Sequence, residues 1–141
     1  MTAVAKPASP EEGQATEGVA GSHTFEGDGL FIEFTSSEEG ASILWRGVSD
    51  SRDPGKILAP VMQDLVVRSR GRKLTVDFSA LDFMNSATVA PVLQFIRELE
   101  KQGTHTVLVY DVGKEWQRIN VQCMRLLVKP MAHVDIETRN A

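Results

Sequence analysis

Val76-Asp77-Phe78-Ser79-Ala80-Leu81-Asp82-Phe83-Met84-Asn85-Ser86-Ala87-Thr88-Val89 is the stretch on which the reading of this chain turns. A short apolar strand, Lys73–Phe78, runs into it. A loop carrying Leu81 and Phe83 follows, and small polar residues then open a helix. Asn85, Ser86 and Thr88 are all good helix caps, because a short side-chain oxygen accepts from a backbone N–H that has no helical partner. The same unpaired N–H groups, with the positive end of the helix dipole, suit an anion or a phosphoryl group. On pattern alone, a plain capping role and a contact role both stand. Pro91 bears on where the helix starts. With Ser86 as the cap, Pro91 is the fifth helical residue, where its missing N–H breaks a helical bond. With Thr88 as the cap, it falls in the first turn. The spacing therefore predicts a helix that begins late, near Thr88, or one whose first turn is irregular.

Working outward, Val89, Val92, Leu93, Ile96 and Leu99 recur at helical spacing up to Gly103, and Thr106–Tyr110 reads as a buried strand. Trp116, Ile119, Cys123, Leu126 and Leu127 mark another helix, and Val134–Glu137 a last strand. Upstream, Leu58, Val61, Met62, Leu65 and Val66 mark a helix between Pro54 and Gly71. Before it, Leu30–Phe34 and Ala41–Val48 read as a hairpin around the Ser36–Gly40 turn. The order β-β-α-β-α-β-α-β predicts an α/β domain with a mixed, mostly parallel sheet and right-handed crossovers.

Residues 1–22 are rich in Ala, Gly, Pro, Glu, Ser and Thr and lack aromatics, which predicts a disordered tail before a single domain over 23–141. The tail and the next few residues carry the net charge. Residues 1–28 hold five acids against Lys6, and residues 29–141 balance at 14 acids and 14 bases. A neutral folded part gives no clustered basic surface for nucleic acid. The run Arg68–Lys73 suits a helix C-terminus. No apolar leader opens the chain and no stretch reaches the ~20 apolar residues of a bilayer span, so a soluble cytoplasmic protein is expected. Cys123 is the single cysteine, which precludes an intrachain disulfide, and its place in the helical pattern predicts burial. His23, His105 and His133 show no metal-ligand spacing. No G-x-S-x-G surrounds Ser86, and Gly27-Asp28-Gly29 precedes a strand instead of joining a strand to a helix, so no phosphate loop is present. No metal, cofactor or enzymatic activity is expected. Trp45 and Trp116 are expected to pack. Arg46, Asp50 and Arg52 read equally as docking charges or as ordinary solvated ones.

The segment from Leu74 to Ile119 resembles the STAS domain, the family of sulfate transporters and anti-sigma factor antagonists. The resemblance rests on the strand ending in Asp77, on Asp82-Phe83-Met84-Asn85-Ser86-Ala87-Thr88 set against the family's D/E-F-hydrophobic-D-S-S-G turn, and on Gly47-Val48-Ser49-Asp50 set against its G-x-x-D turn. It covers about residues 25–138. It implies a non-enzymatic bacterial signalling protein that switches partners by protein–protein binding, docking through Ser49, Asp50, Asn85, Ser86, Ala87 and Thr88. The implied partner is a serine kinase or phosphatase, an anti-sigma factor or another signalling protein. In the family, a kinase phosphorylates a serine at this helix start, and the added charge breaks the contact. Here Asn85 stands at the family's Asp, Ala87 at the usual phosphoserine and Thr88 at the Gly. The acceptor is then displaced to Ser86 or Thr88, or the protein binds without being phosphorylated, or the fold serves a different system. Two readings from other classes stand beside this one: a regulatory domain holding a small ligand or nucleotide at the start of the second helix, and a structural adaptor that self-assembles through a sheet edge.

Overall fold

An antiparallel meander opens the structure: β1 (Gly21–Gly27), β2 (Leu30–Ser37) and β3 (Gly40–Ser49). The computed structural model describes residues 21–140, so most of the expected tail lies outside the described residues. The first described residue, Gly21, already lies in β1. Asp28 and Gly29 form the whole β1–β2 connection, with φ of 53° and 82°. Two successive left-handed residues give the turn whose twist matches its flanking strands, and Asp-Gly is a preferred pair for it. The Gly-Asp-Gly segment thus closes a hairpin.

Then come α1 (Pro54–Arg68), β4 (Leu74–Asp77), β5 (Leu81–Met84), α2 (Ser86–Lys101), β6 (Thr106–Asp111), α3 (Glu115–Val128) and β7 (Val134–Arg139). All form one sheet in the order β1-β2-β3-β4-β6-β7, with β5 attached to β3. From β3 onward every pairing is parallel. The sheet is therefore mixed and mostly parallel, as expected. Each crossover moves the chain the same way along the sheet, so right-handed connections put the three helices on one face. Alternation along the strands agrees. Ile32, Ile43, Trp45, Val76, Leu108 and Tyr110 point inward and are at most 1% exposed, in one cluster with Leu58, Ile96 and Met124 of the helices. The other face is open and polar in large part. On it Arg46 stacks over Phe31 at 4.3 Å, which accounts for that arginine without a partner.

β3 is the hub of the sheet. Its first half (Ala41–Leu44) pairs with β4 and its end (Gly47–Ser49) with β5, with a bulge between Gly47 and Val48. Gly47 has φ 88°, and a Cβ there would collide with the Gly29 carbonyl oxygen. Only glycine fits that combination of backbone angle and close approach.

Three expectations are corrected. Leu81–Met84 is a strand, because the end of β3 offers a free edge that a four-residue segment satisfies. The helix after it starts at Ser86 and simply carries Pro91 inside it. Cys123 is exposed. The buried face of α3 is Gln117, Val121, Met124 and Val128, roughly opposite the face marked by Ile119, Cys123 and Leu126.

Candidate functional site: the opening of α2

Asn85 leaves β5 with extended backbone (φ −78°, ψ 167°) and caps α2. Its N–H donates to the Ser49 carbonyl at 2.9 Å, which ties the helix start to the end of β3. Its Oδ1 accepts from the Thr88 N–H at 3.0 Å and from the Thr88 hydroxyl at 2.7 Å, while Nδ2 donates to the Ser51 carbonyl at 2.9 Å. These partners fix the amide orientation, since the Ser51 carbonyl needs a donor and the Thr88 N–H an acceptor. With the Thr88 hydrogen spent on Asn85, the 2.8 Å contact between the Ser49 and Thr88 hydroxyls has Ser49 as donor. A hydroxyl relay therefore runs Ser49 to Thr88 to Asn85.

The relay is internal. Thr88 is 0% exposed and Ser49 4%. Both were expected on the docking surface, and Thr88 also as a phosphoacceptor. Their hydroxyls are buried in the relay, where each has a partner. Ser86, Ala87 and Asp50 are exposed, and Asn85 is half-buried. The face that solvent reaches is thus Asp50, Ser86 and Ala87 over a locked base. Phe83 of β5, read from sequence as a loop residue, is 43% exposed on the strand that leads into Asn85. The N–H groups of Ser86 and Ala87 lie in the first turn and have no helical acceptor.

Gln117 is a residue the sequence reading missed. Fully buried in α3, it donates through Nε2 to the carbonyls of Phe78 (2.7 Å) and Leu81 (3.1 Å), and its Oε1 accepts from the Asp111 N–H at 2.7 Å. One side chain so closes the β4–β5 connection against the end of β6. Beside it, Lys114 donates to the Leu81 carbonyl at 3.4 Å and lies 3.9 Å from Asp82. Asp77 accepts from the Ser79 N–H (2.9 Å) and hydroxyl (2.6 Å), fixing the turn out of β4. These contacts hold the segment 77–85 from below. Trp45 and Trp116 pack against the core as expected, and neither indole N–H has a hydrogen-bond partner.

A crevice lined by Leu30, Ser49, Asp50, Ser51 and Leu58 offers about 10 Å³, room for one water. A larger groove of about 460 Å³ lies elsewhere, between α1 and α2 along Met62, Val66, Pro91 and Phe95. Among the described residues no three His, Cys, Asp or Glu side chains converge as a metal site would need, and no helix is long and apolar enough to cross a membrane.

No protein-family model matches the chain, and no curated protein sequence does. Among solved structures it is similar to the crystal structure of an uncharacterized DUF3478-family protein with a SpoIIAA-like fold from Shewanella loihica PV-4. The TM-score is 0.50 at 7% identity, over 91% of this chain and 93% of that one. Such low identity bears on fold alone. The mixed α/β, SpoIIAA-like architecture is that of anti-sigma antagonist and STAS domains, the fold expected from the turn at residues 82–88.

Proposed function

We propose that this chain is a non-enzymatic signalling protein that binds a protein partner on the opening of α2, without phosphorylation at the position that the STAS pattern reserves for it. One observation carries the reading: the Ser49–Thr88–Asn85 relay holds a solvent-facing Ser86–Ala87 turn rigidly from beneath. A preorganised turn loses little entropy on docking. The partner class is a serine kinase or phosphatase module, an anti-sigma factor or a comparable signalling protein of the cytoplasm. Ala87 has no hydroxyl to modify. Of the two candidate acceptors only Ser86 faces solvent, so a phosphate on this turn falls there.

Affinity capture with the wild-type chain and with Ser86→Asp and Ala87→Asp tests this. The expected result is a specific protein partner whose capture falls about ten-fold or more on either change. Both positions are exposed, so melting temperatures should barely move. Capture unchanged by both substitutions, or no specific partner at all, overturns the proposal.

A further inference from the structure

The solvent side of α3 carries a second apolar surface, distinct from the docking turn. Ile119 is 62% exposed and Leu126 74%, and Cys123 between them is exposed too. They are spaced 4 and 3 residues apart, the spacing of a coiled-coil seam. The buried stripe Gln117–Val121–Met124–Val128 lies on the opposite side, so α3 already satisfies its own core without these residues. A seam of this period fits another helix, and the charges beside it say which one.

Glu115, Gln122 and Lys129 are seven residues apart and share one flank of the seam, reading negative, neutral, positive along the helix. Glu115 and Lys129 are exposed, and among the described residues neither enters an ion pair. In a parallel pair of α3 helices this flank faces the opposite one, which carries Asn120 and Leu127, so neither Glu115 nor Lys129 meets a charge. About a twofold axis, an antiparallel pair brings this flank against itself. Glu115 then meets Lys129 of the other copy, Gln122 faces its own mate near the axis, Ile119 packs by Leu126, and the Cys123 thiols come close. The pattern complements itself in that arrangement only. We propose that two copies of this chain associate through antiparallel pairing of α3 along Ile119, Cys123 and Leu126. Fourteen residues make about 21 Å of helix. An interface that short belongs to the weak, transient class. The proposal is independent of the function proposed above, which uses α2.

Light scattering over a range of roughly micromolar to millimolar chain checks it. The wild-type mass should climb from 15.5 kDa toward twice that value, and Ile119→Glu/Leu126→Glu, at exposed positions, should stay monomeric and folded. Glu115→Lys and Lys129→Glu should each raise the dissociation constant several-fold, and the double swap should restore it. Mild oxidation should cross-link wild type through Cys123, whereas Cys123→Ser should still dimerise without a cross-link. A wild type that is monomeric at the highest concentration overturns the proposal. So does a glutamate double variant that dimerises normally, or a charge swap that fails to restore association.

Discussion

Replacing Thr88 with Val keeps the shape of the side chain and deletes one hydroxyl, which makes it a direct probe of the relay under the docking turn. The two short bonds go, the donation to Asn85 Oδ1 at 2.7 Å and the acceptance from Ser49 at 2.8 Å, together with a longer 3.4 Å approach to the Ser49 carbonyl. Asn85 keeps its bond from the Thr88 N–H, so the cap survives. Ser49 fares worse, because its buried hydroxyl is left without its relay partner. A stranded buried polar group costs about 1–3 kcal/mol and the lost bond to Asn85 about 1 more, so Thr88→Val should destabilise by about 2–4 kcal/mol. Ser49→Ala should cost only about 1 kcal/mol, since the Thr88 hydroxyl retains Asn85 as acceptor. In the double variant nothing is stranded, and its loss should fall short of the sum by about 1–2 kcal/mol. Urea unfolding of the four proteins closes the cycle. Additivity within about 0.5 kcal/mol would refute the relay, because independent sites add to that accuracy.

Gly47→Ala should cost more than about 3 kcal/mol, through a strained backbone at φ 88° and collision with the Gly29 carbonyl; a urea midpoint within error of wild type would contradict this. Tyr110 is the single tyrosine, and burial pushes its hydroxyl well above the ordinary phenol range. Its neutral form is therefore favoured by folding, and stability should fall as pH rises past the value of free tyrosine. Spectrophotometric titration should show no tyrosinate near pH ~10 while the chain is folded. Ordinary reversible titration in the folded state would contradict that. Glu100 accepts the N–H groups of Ala132 and His133 at 2.9 Å, and the Ala132 bond foremost holds its carboxyl below the ordinary value. A lowered folded-state value gives stability that is present above the unfolded-state value and lost as pH falls through the folded one. Glu100→Gln should accordingly be less stable at neutral pH and lose stability less steeply on acidification. Parallel stability–pH curves for the two proteins would argue against it.

The helices and parallel strands were legible because each buries one face, and the periods of Leu58–Val66 and Val92–Leu99 show it. Elements that bury little were harder to read. β1 has Phe25 as its one large apolar residue, and its real signature was the Asp28-Gly29 turn, noticed only as a failed phosphate motif. The middle of β5, Asp82 and Phe83, is exposed, so no alternation marks it as a strand. α3 carries two apolar stripes, the buried one opened by a glutamine and the exposed one holding Ile119 and Leu126, so periodicity did not say which faces the core and misplaced Cys123. At the site, sequence identified Asn85–Thr88 and Ser49–Asp50 as one locality. It did not separate the hydroxyls that build the turn from those that face outward. That separation depends on the β3–β5 pairing, which sets Ser49 opposite Met84 and so beneath the helix start. Pro91 misled because a proline was weighed against an isolated helix, whereas this one is held by Val92, Phe95 and Ile96 in the core.

The double duty of β3 also shapes the order in which the chain assembles. Its pairing with β2, like that of β2 with β1, closes a two-residue connection, an event on the microsecond scale with almost no chain entropy to overcome. Its pairings with β4 and β5 wait until some thirty residues, α1 among them, have been gathered in. A meander formed early thus serves as the template on which the slower, long-range half of the sheet is laid. The edge where the two halves meet is the one that carries Ser49, so the hydroxyl relay is among the last parts of the molecule to set.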